Sequence, residues 1–205
     1  MEPEKIYELL KERIIWLDLM PESVLNLSEL ARSFGVSRTP IKEALILLQG
    51  EGWVLRKGSH FMVTPLSLDR IRGTAEIRTV MEVQANIWAM YRMTPEGLAA
   101  LGELEKEILQ LDDAVSNRQM VELDIRFHRT LFQGTKNSQL AQLLERLLSH
   151  YLRFWLSIPR EIGRQSFFAE TLEIIRAIEA KDEARLRAAS AAHIKKSVDE
   201  IMSTF

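Results

Sequence analysis

Gly35-Val36-Ser37-Arg38-Thr39-Pro40-Ile41-Lys42-Glu43-Ala44-Leu45 is the stretch that decides the reading of this chain. Gly35 suits a tight turn after residues 27–34. Ser37 suits a helix N-cap, with Pro40 still in the first turn, where its missing N–H leaves no helical bond unmade. Ile41, Ala44, Leu45 and Leu48 then share one face at helical spacing, which leaves Arg38, Thr39 and Lys42 near the N-terminal end of the opposite face. Two short helices about such a turn form a helix-turn-helix, and the N-terminal end of its second helix is where base edges are met in a major groove. On the pattern alone, a core helical hairpin with Arg38 and Lys42 on a solvated face fits as well.

Working outward, Ile6, Leu9, Leu10, Ile14 and Leu17 make an apolar helical stripe that stops before Pro21, and Gly52 closes the second helix of the pair. Trp53–Arg56 and His60–Val63 read as two short strands around Lys57-Gly58-Ser59, a wing, and Pro65 ends the module. Residues 1–66 are therefore expected to form a winged helix-turn-helix. From residue 67 to 205 no stretch reads as a strand. Six helices are expected near 68–92, 95–112, 117–133, 138–157, 161–180 and 182–203, punctuated by Thr94-Pro95-Glu96, the loop at 134–138 and Ile158-Pro159-Arg160. The fold class is mainly α, a small winged module followed by an all-helical bundle.

Composition narrows the function. The 205 residues are 46% hydrophobic, enough for real cores, and contain no Cys, which excludes disulfides, thiolate metal sites and thiol nucleophiles. With neither an apolar run of about 18 residues nor an export signal, membrane partners are not expected and a cytoplasmic location is. Residues 1–66 carry eight Lys/Arg against nine Asp/Glu, whereas 24–58 carry five against three. The positive footprint is local, so DNA binding would need two copies of the module and a specific sequence rather than bulk attraction to phosphate.

In the second half, polar residues fall on inward faces. Met120, Leu123, Phe127 and Leu131 define the inner side of the third bundle helix, with Asp124 and His128 on its flank, an i, i+4 pair that can aim two ligands at one point. His193 falls among Leu186, Ala189, Ser190 and Ser197, and Arg78 and Glu82 share a face with Ile71, Ala75, Ala85 and Ala89. Each would be costly to bury alone. The same residues also allow a plainer account, in which the histidines are hydrogen-bonded core groups and Arg78 and Glu82 an intrahelical ion pair.

The wording from Ser37 to Leu48, followed by Glu51-Gly52-Trp53-Val54 and Gly58 and preceded by Leu19–Leu25 with Glu22 where a glycine is common, resembles the winged-helix domain of GntR-type bacterial transcription regulators. That resemblance implies base and phosphate contacts from Arg38 and Lys42, with Ser37 and Thr39 beside them, and Gly58 at the wing tip. Arg78-x3-Glu82, Asp124-x2-Phe127-His128, Asn137-x2-Leu140 and Ala177-Ile178-x3-Asp182, ending in His193, resemble the helical effector domain of the FadR-like branch, called FCD, in its shorter six-helix VanR-type form.

Many members of that branch hold a divalent metal, often zinc or nickel, with one Asp and three His. By resemblance Asp124, His128 and His193 take three of those positions and Thr171 takes the fourth, on an inward face but a poor ligand. The implied protein is a non-enzymatic, homodimeric regulator, a repressor by preference. It binds a short palindromic operator in double-stranded DNA and senses a small carboxylate through Arg78, Glu82 and Thr171. Two other functions remain open: a non-sensing DNA-binding or interaction protein with a degenerate pocket, and a metal-dependent hydrolase, for which no companion nucleophile loop is visible.

Overall fold

The computed structural model describes residues 2–112, 114–160 and 162–204, and these fall into two compact units, Met1–Ser67 and Leu68–Phe205. In the first unit, α1 (Pro3–Ile15) begins on a proline and buries Ile6, Leu10 and Ile14. Leu17, expected on the same stripe, lies beyond the helix end with φ 61°. Asn26 caps α2 (Leu27–Phe34) by accepting from the Ser28 and Glu29 backbone amides, and Gly35, at φ 65°, ends it in the left-handed conformation. Ser37 stands at the cap position of α3 (Arg38–Gly50), although its side chain makes no capping bond. Ile41, Ala44, Leu45 and Leu48 of α3 are fully buried against α1 and against Trp53, Phe61 and Val63.

The wing holds three strands, one more than the sequence pattern suggested. β2 (Val54–Lys57) and β3 (His60–Val63) pair antiparallel around Gly58, and β1 (Val24–Leu25) adds to the other edge of β3, with Val24 opposite Met62. β1 is reached through Glu22, which holds φ 65°. A side chain is strained in that conformation, which explains why glycine suits the position.

The second unit contains six helices among the described residues: α4 (Leu68–Arg92), α5 (Pro95–Gln110), α6 (Asn117–Gly134), α7 (Ser138–Ser157), α8 (Arg164–Glu179) and α9 (Glu183–Thr204). Thr94 caps α5, Asn137 caps α7, and Ser116 with Gln119 forms a reciprocal capping box on α6. α8 starts three residues later than expected, with Gly163 as its cap; Glu161 lies outside the described residues. α4 packs along α9 and crosses α6 and α7, while α8 packs on α9, so one seam gathers side chains from α4, α6, α7, α8 and α9. Gly134 permits a close crossing, since a Cβ there would come within 2.5 Å of Met93 Cε. Asn86 of α4 donates to Ser190 Oγ of α9 at 3.0 Å. Among the described residues no helix is long and apolar enough to cross a membrane.

Candidate DNA-reading face and effector cavity

On α3 the four core residues occupy one side, and Arg38, Thr39 and Lys42 are exposed on the other. No partner constrains the Arg38 or Lys42 side chain among the described residues, so both cations are available to a ligand. Gly58, at φ 61°, forms the exposed turn of the wing, where Arg56 Nε donates to its carbonyl at 3.2 Å.

The second feature lies at the seam of the helical unit. Asp124 and His128, one turn apart on α6, meet His193 of α9, and one ligand atom from each lies within 4.8 Å of the other two. His128 Nε2 is 3.2 Å from His193 Nε2 and 3.6 Å from Asp124 Oδ2. The other nitrogen, His128 Nδ1, is buried without a hydrogen bond, 3.7 Å from Glu82 Oε2. That arrangement places a carboxylate on the Nδ1 side, so that the Nδ1–H tautomer would turn the Nε2 lone pair toward the cluster, as a metal-ligating imidazole needs.

Burial sets the protonation. It pushes the Asp124 carboxyl up to about 7, against the opposing pull of Arg78. Burial, helped by His128 and Arg78, drives His193 down to about 3, and burial holds His128 well below its ordinary range. Both imidazoles are therefore neutral and ready to ligate at neutral pH. Two neutral imidazoles and one carboxylate within reach of a common point suit a divalent ion of borderline softness, with positions left open for water or a carboxylate.

These three residues line a cavity of about 480 Å³, counting the part open to solvent, together with Arg78, Tyr151, Trp155, Phe167, Glu170 and Lys196 among others. Arg78 is wholly buried and engages Glu82 through two contacts, Nε to Oε1 and Nη2 to Oε2 at 3.2 Å, while its guanidinium carbon sits 4.5 Å over the Tyr151 ring. Arg78 thus makes the intrahelical pair with Glu82 and also lines the cavity. Glu82 supports it from behind and does not itself line the cavity, and a ligand carboxylate can use only the remaining Nη edge of the fork. Thr171 is fully buried, its hydroxyl has no hydrogen-bond partner among the described residues, and it is not among the cavity-lining residues.

Sequence reasoning did not find Tyr151, Trp155, Phe167, Glu170 or Lys196. Leu148, Tyr151 and Trp155 at helical spacing read as an ordinary core stripe of α7. Lys196 had one usable signal, its place one turn after His193; it now pairs with Glu170 at 2.8 Å across α8 and α9.

An exposed basic reader helix with a wing, joined in one chain to a helical bundle with a polar cavity, defines a DNA-binding transcription regulator. Residues 74–196 match the FCD domain and residues 3–60 match the bacterial regulatory proteins of the gntR family, so the chain belongs to the GntR family and carries an FCD effector domain. It is similar to the Nta operon transcriptional regulator of Aminobacter aminovorans, 30% identical over 89% of this chain and 86% of that protein. It is also similar to the HTH-type transcriptional repressor RspR of Escherichia coli (strain K12), 25% identical over 97% of this chain and 88% of that one. In structure it resembles E. coli McbR/YncC, with a TM-score of 0.85 and 20% identity over 98% of this chain and 97% of that one, a likeness of fold. The family and these relatives are transcriptional regulators rather than enzymes, and its members bind DNA and take small-molecule effectors through the FCD domain.

Proposed function

We propose that this chain is a homodimeric repressor released or engaged by a small organic acid, which binds at a zinc or nickel ion held by Asp124, His128 and His193. The observation that carries the reading is the convergence of those three ligand atoms within 4.8 Å at the wall of a cavity that Arg78 also lines. The charge inventory points the same way. Two cations, Arg78 and Lys196, face three carboxylates, Asp124, Glu170 and Glu200, along the cavity; adding Glu82 on Arg78 and Arg160 on Glu200 gives three against four. With Asp124 driven toward its uncharged form before a metal enters, an anionic ligand alone meets a wall with no net positive charge, whereas a divalent cation makes the site positive and gives the acid a partner. The acid should therefore bind after the metal.

In this reading Arg38, Thr39, Lys42 and Ser37 meet base edges and phosphates of a palindromic operator, and Gly58 lets the wing approach the backbone. Dimerisation supplies the second half-site. The α4 residues Ile77 and Val80, 50% and 75% exposed, present an apolar stripe suited to a second copy. The repressor sign is supported by the likeness to RspR, a transcriptional repressor. Regulation acts only as far as the ligand prefers one arrangement of the two reader helices over the other.

The test is a shift assay on the DNA upstream of the protein's own coding region, run with metal-free protein, with zinc- or nickel-loaded protein, and with loaded protein plus a panel of organic acids. An acid response that needs the metal and disappears in His193→Ala is the expected result. An acid response in chelator-stripped protein would overturn the metal-bound reading, and no response to any acid would favour a regulator without a sensing function.

A further inference from the structure

Beyond the basic residues, the outward face of α3 carries an apolar side chain that the fold does not use. Ile41, Ala44, Leu45 and Leu48 are all wholly buried and fix which side of the helix faces its own core. At about 100° per residue, Thr39, Glu43 and Ile46 lie opposite that core, and Arg38 and Lys42 border them. Ile46 is 51% exposed. It follows Lys42 by one turn, about 6 Å further along the axis. Leu47, the other exposed apolar residue of this helix, is set about 100° further round, off the line through Lys42 and Ile46.

A half-exposed isoleucine in line with the basic residues of a reader helix has one chemically matched feature in a major groove, the 5-methyl group of thymine. The other base-pair edges present hydrogen-bond donors and acceptors that an alkyl side chain leaves unsatisfied. We infer that Ile46 is a specificity-determining residue that packs on a thymine methyl, about two base pairs beyond the position reached by Lys42 at 3.4 Å per base pair. The inference rests on the DNA-binding reading of α3. It assigns to Ile46 a role that charge and hydrogen bonding cannot supply: selecting T·A over C·G at one position of the half-site.

The probe is a duplex enriched from a randomised library by the full-length protein, with Arg38→Ala run in parallel. Each thymine of the enriched half-site is then replaced singly by deoxyuridine, which removes only the methyl group. One replacement should weaken wild-type binding by about fourfold, the factor for burying one methyl, and leave Ile46→Ala unaffected. Ile46→Ala should keep its melting temperature, since the side chain is not part of the core, and its own enriched sequences should lose the preference for thymine at that position.

If enrichment depends on Arg38 but no deoxyuridine replacement matters, the Ile46 inference fails and the reader helix stands. An equal deoxyuridine effect on Ile46→Ala overturns it in the same way. If no sequence is enriched, or Arg38→Ala enriches the same sequences equally well, the assignment of α3 as reader fails first, and the inference with it.

Discussion

Arg78→Ala should be among the most damaging single substitutions in the helical unit, and the structure says why. Arg78 and Glu82 are 2% and 1% exposed, and both Glu82 oxygens are spoken for by the Arg78 guanidinium. Truncation leaves that carboxylate behind the cavity wall without its cation, with His128 Nδ1 3.7 Å away. Breaking a buried pair in this one-sided manner costs about 3–5 kcal/mol, and the guanidinium's contact with the Tyr151 ring is lost as well. At about 2–4 °C per kcal/mol for a chain of this size, the melting temperature should fall by roughly 10 °C, read by scanning calorimetry on metal-free protein. Replacing both partners, Arg78→Met with Glu82→Leu, removes the stranded charge and should recover most of the loss. Acid binding should not return in that pair, because the cavity has lost its guanidinium edge. Arg78→Ala protein melting within about 2 °C of wild type would refute the reasoning. So would a double variant no better than the single one.

Five further outcomes are expected. Arg38→Ala should lose about 1–3 kcal/mol of specific DNA binding with an unchanged melting temperature, and Lys42→Ala should lower the slope of log affinity against log salt by about one, both measured by fluorescence anisotropy. Metal uptake should weaken about tenfold for each pH unit below about 7, with close to one proton released per ion at pH 6 by calorimetry in two buffers. The reason is that Asp124, pushed up to about 7, must shed its proton, while both imidazoles are already neutral; release near zero at that pH would contradict it. Thr171→Val should be neutral or stabilising by about 1 kcal/mol, since it removes a buried hydroxyl without a partner, and a fall in metal or acid affinity would instead assign that hydroxyl to the ligand. Val80→Asp should convert a dimer to a monomer in sedimentation and weaken operator binding together, whereas an unchanged sedimentation profile would place the dimer contact elsewhere.

The parts of this protein that were legible in its sequence are those written by local chemistry. Thr94 announces a helix start because a short side-chain oxygen before a periodic run has few other uses, and it does cap its helix, whereas Ser37, expected to do the same, holds the cap position without the bond. β1 was not visible: two residues, Val24 and Leu25, carry no period, and they are a strand only because β3 leaves an edge to pair with. Glu22 marked a departure from the expected glycine without revealing its meaning, which is a positive φ held at the entry to that strand.

The cavity divides along the same line. Asp124 and His128 could be found because spacing on one helix brings two ligands to one side, and His193 because an imidazole stood on an otherwise apolar face. Tyr151 and Trp155 could not, since an aromatic residue lining a cavity and one filling a core have the same period and differ only in what lies opposite. The protonation states were equally hidden. Asp124 and His128 sit one turn apart on the same helix, yet burial moves the carboxyl up and the imidazole down, so that near neutral pH each is driven toward its uncharged form. That shared neutrality makes the metal-free cluster tolerable inside the bundle. A divalent ion would favour the ionised Asp124 carboxylate and use both imidazole lone pairs at once, so metal binding and the proton inventory of this seam form a single equilibrium. An acid that binds at the metal, as proposed, would enter that equilibrium too, and by linkage it would tighten the metal by the same factor as the metal tightens the acid.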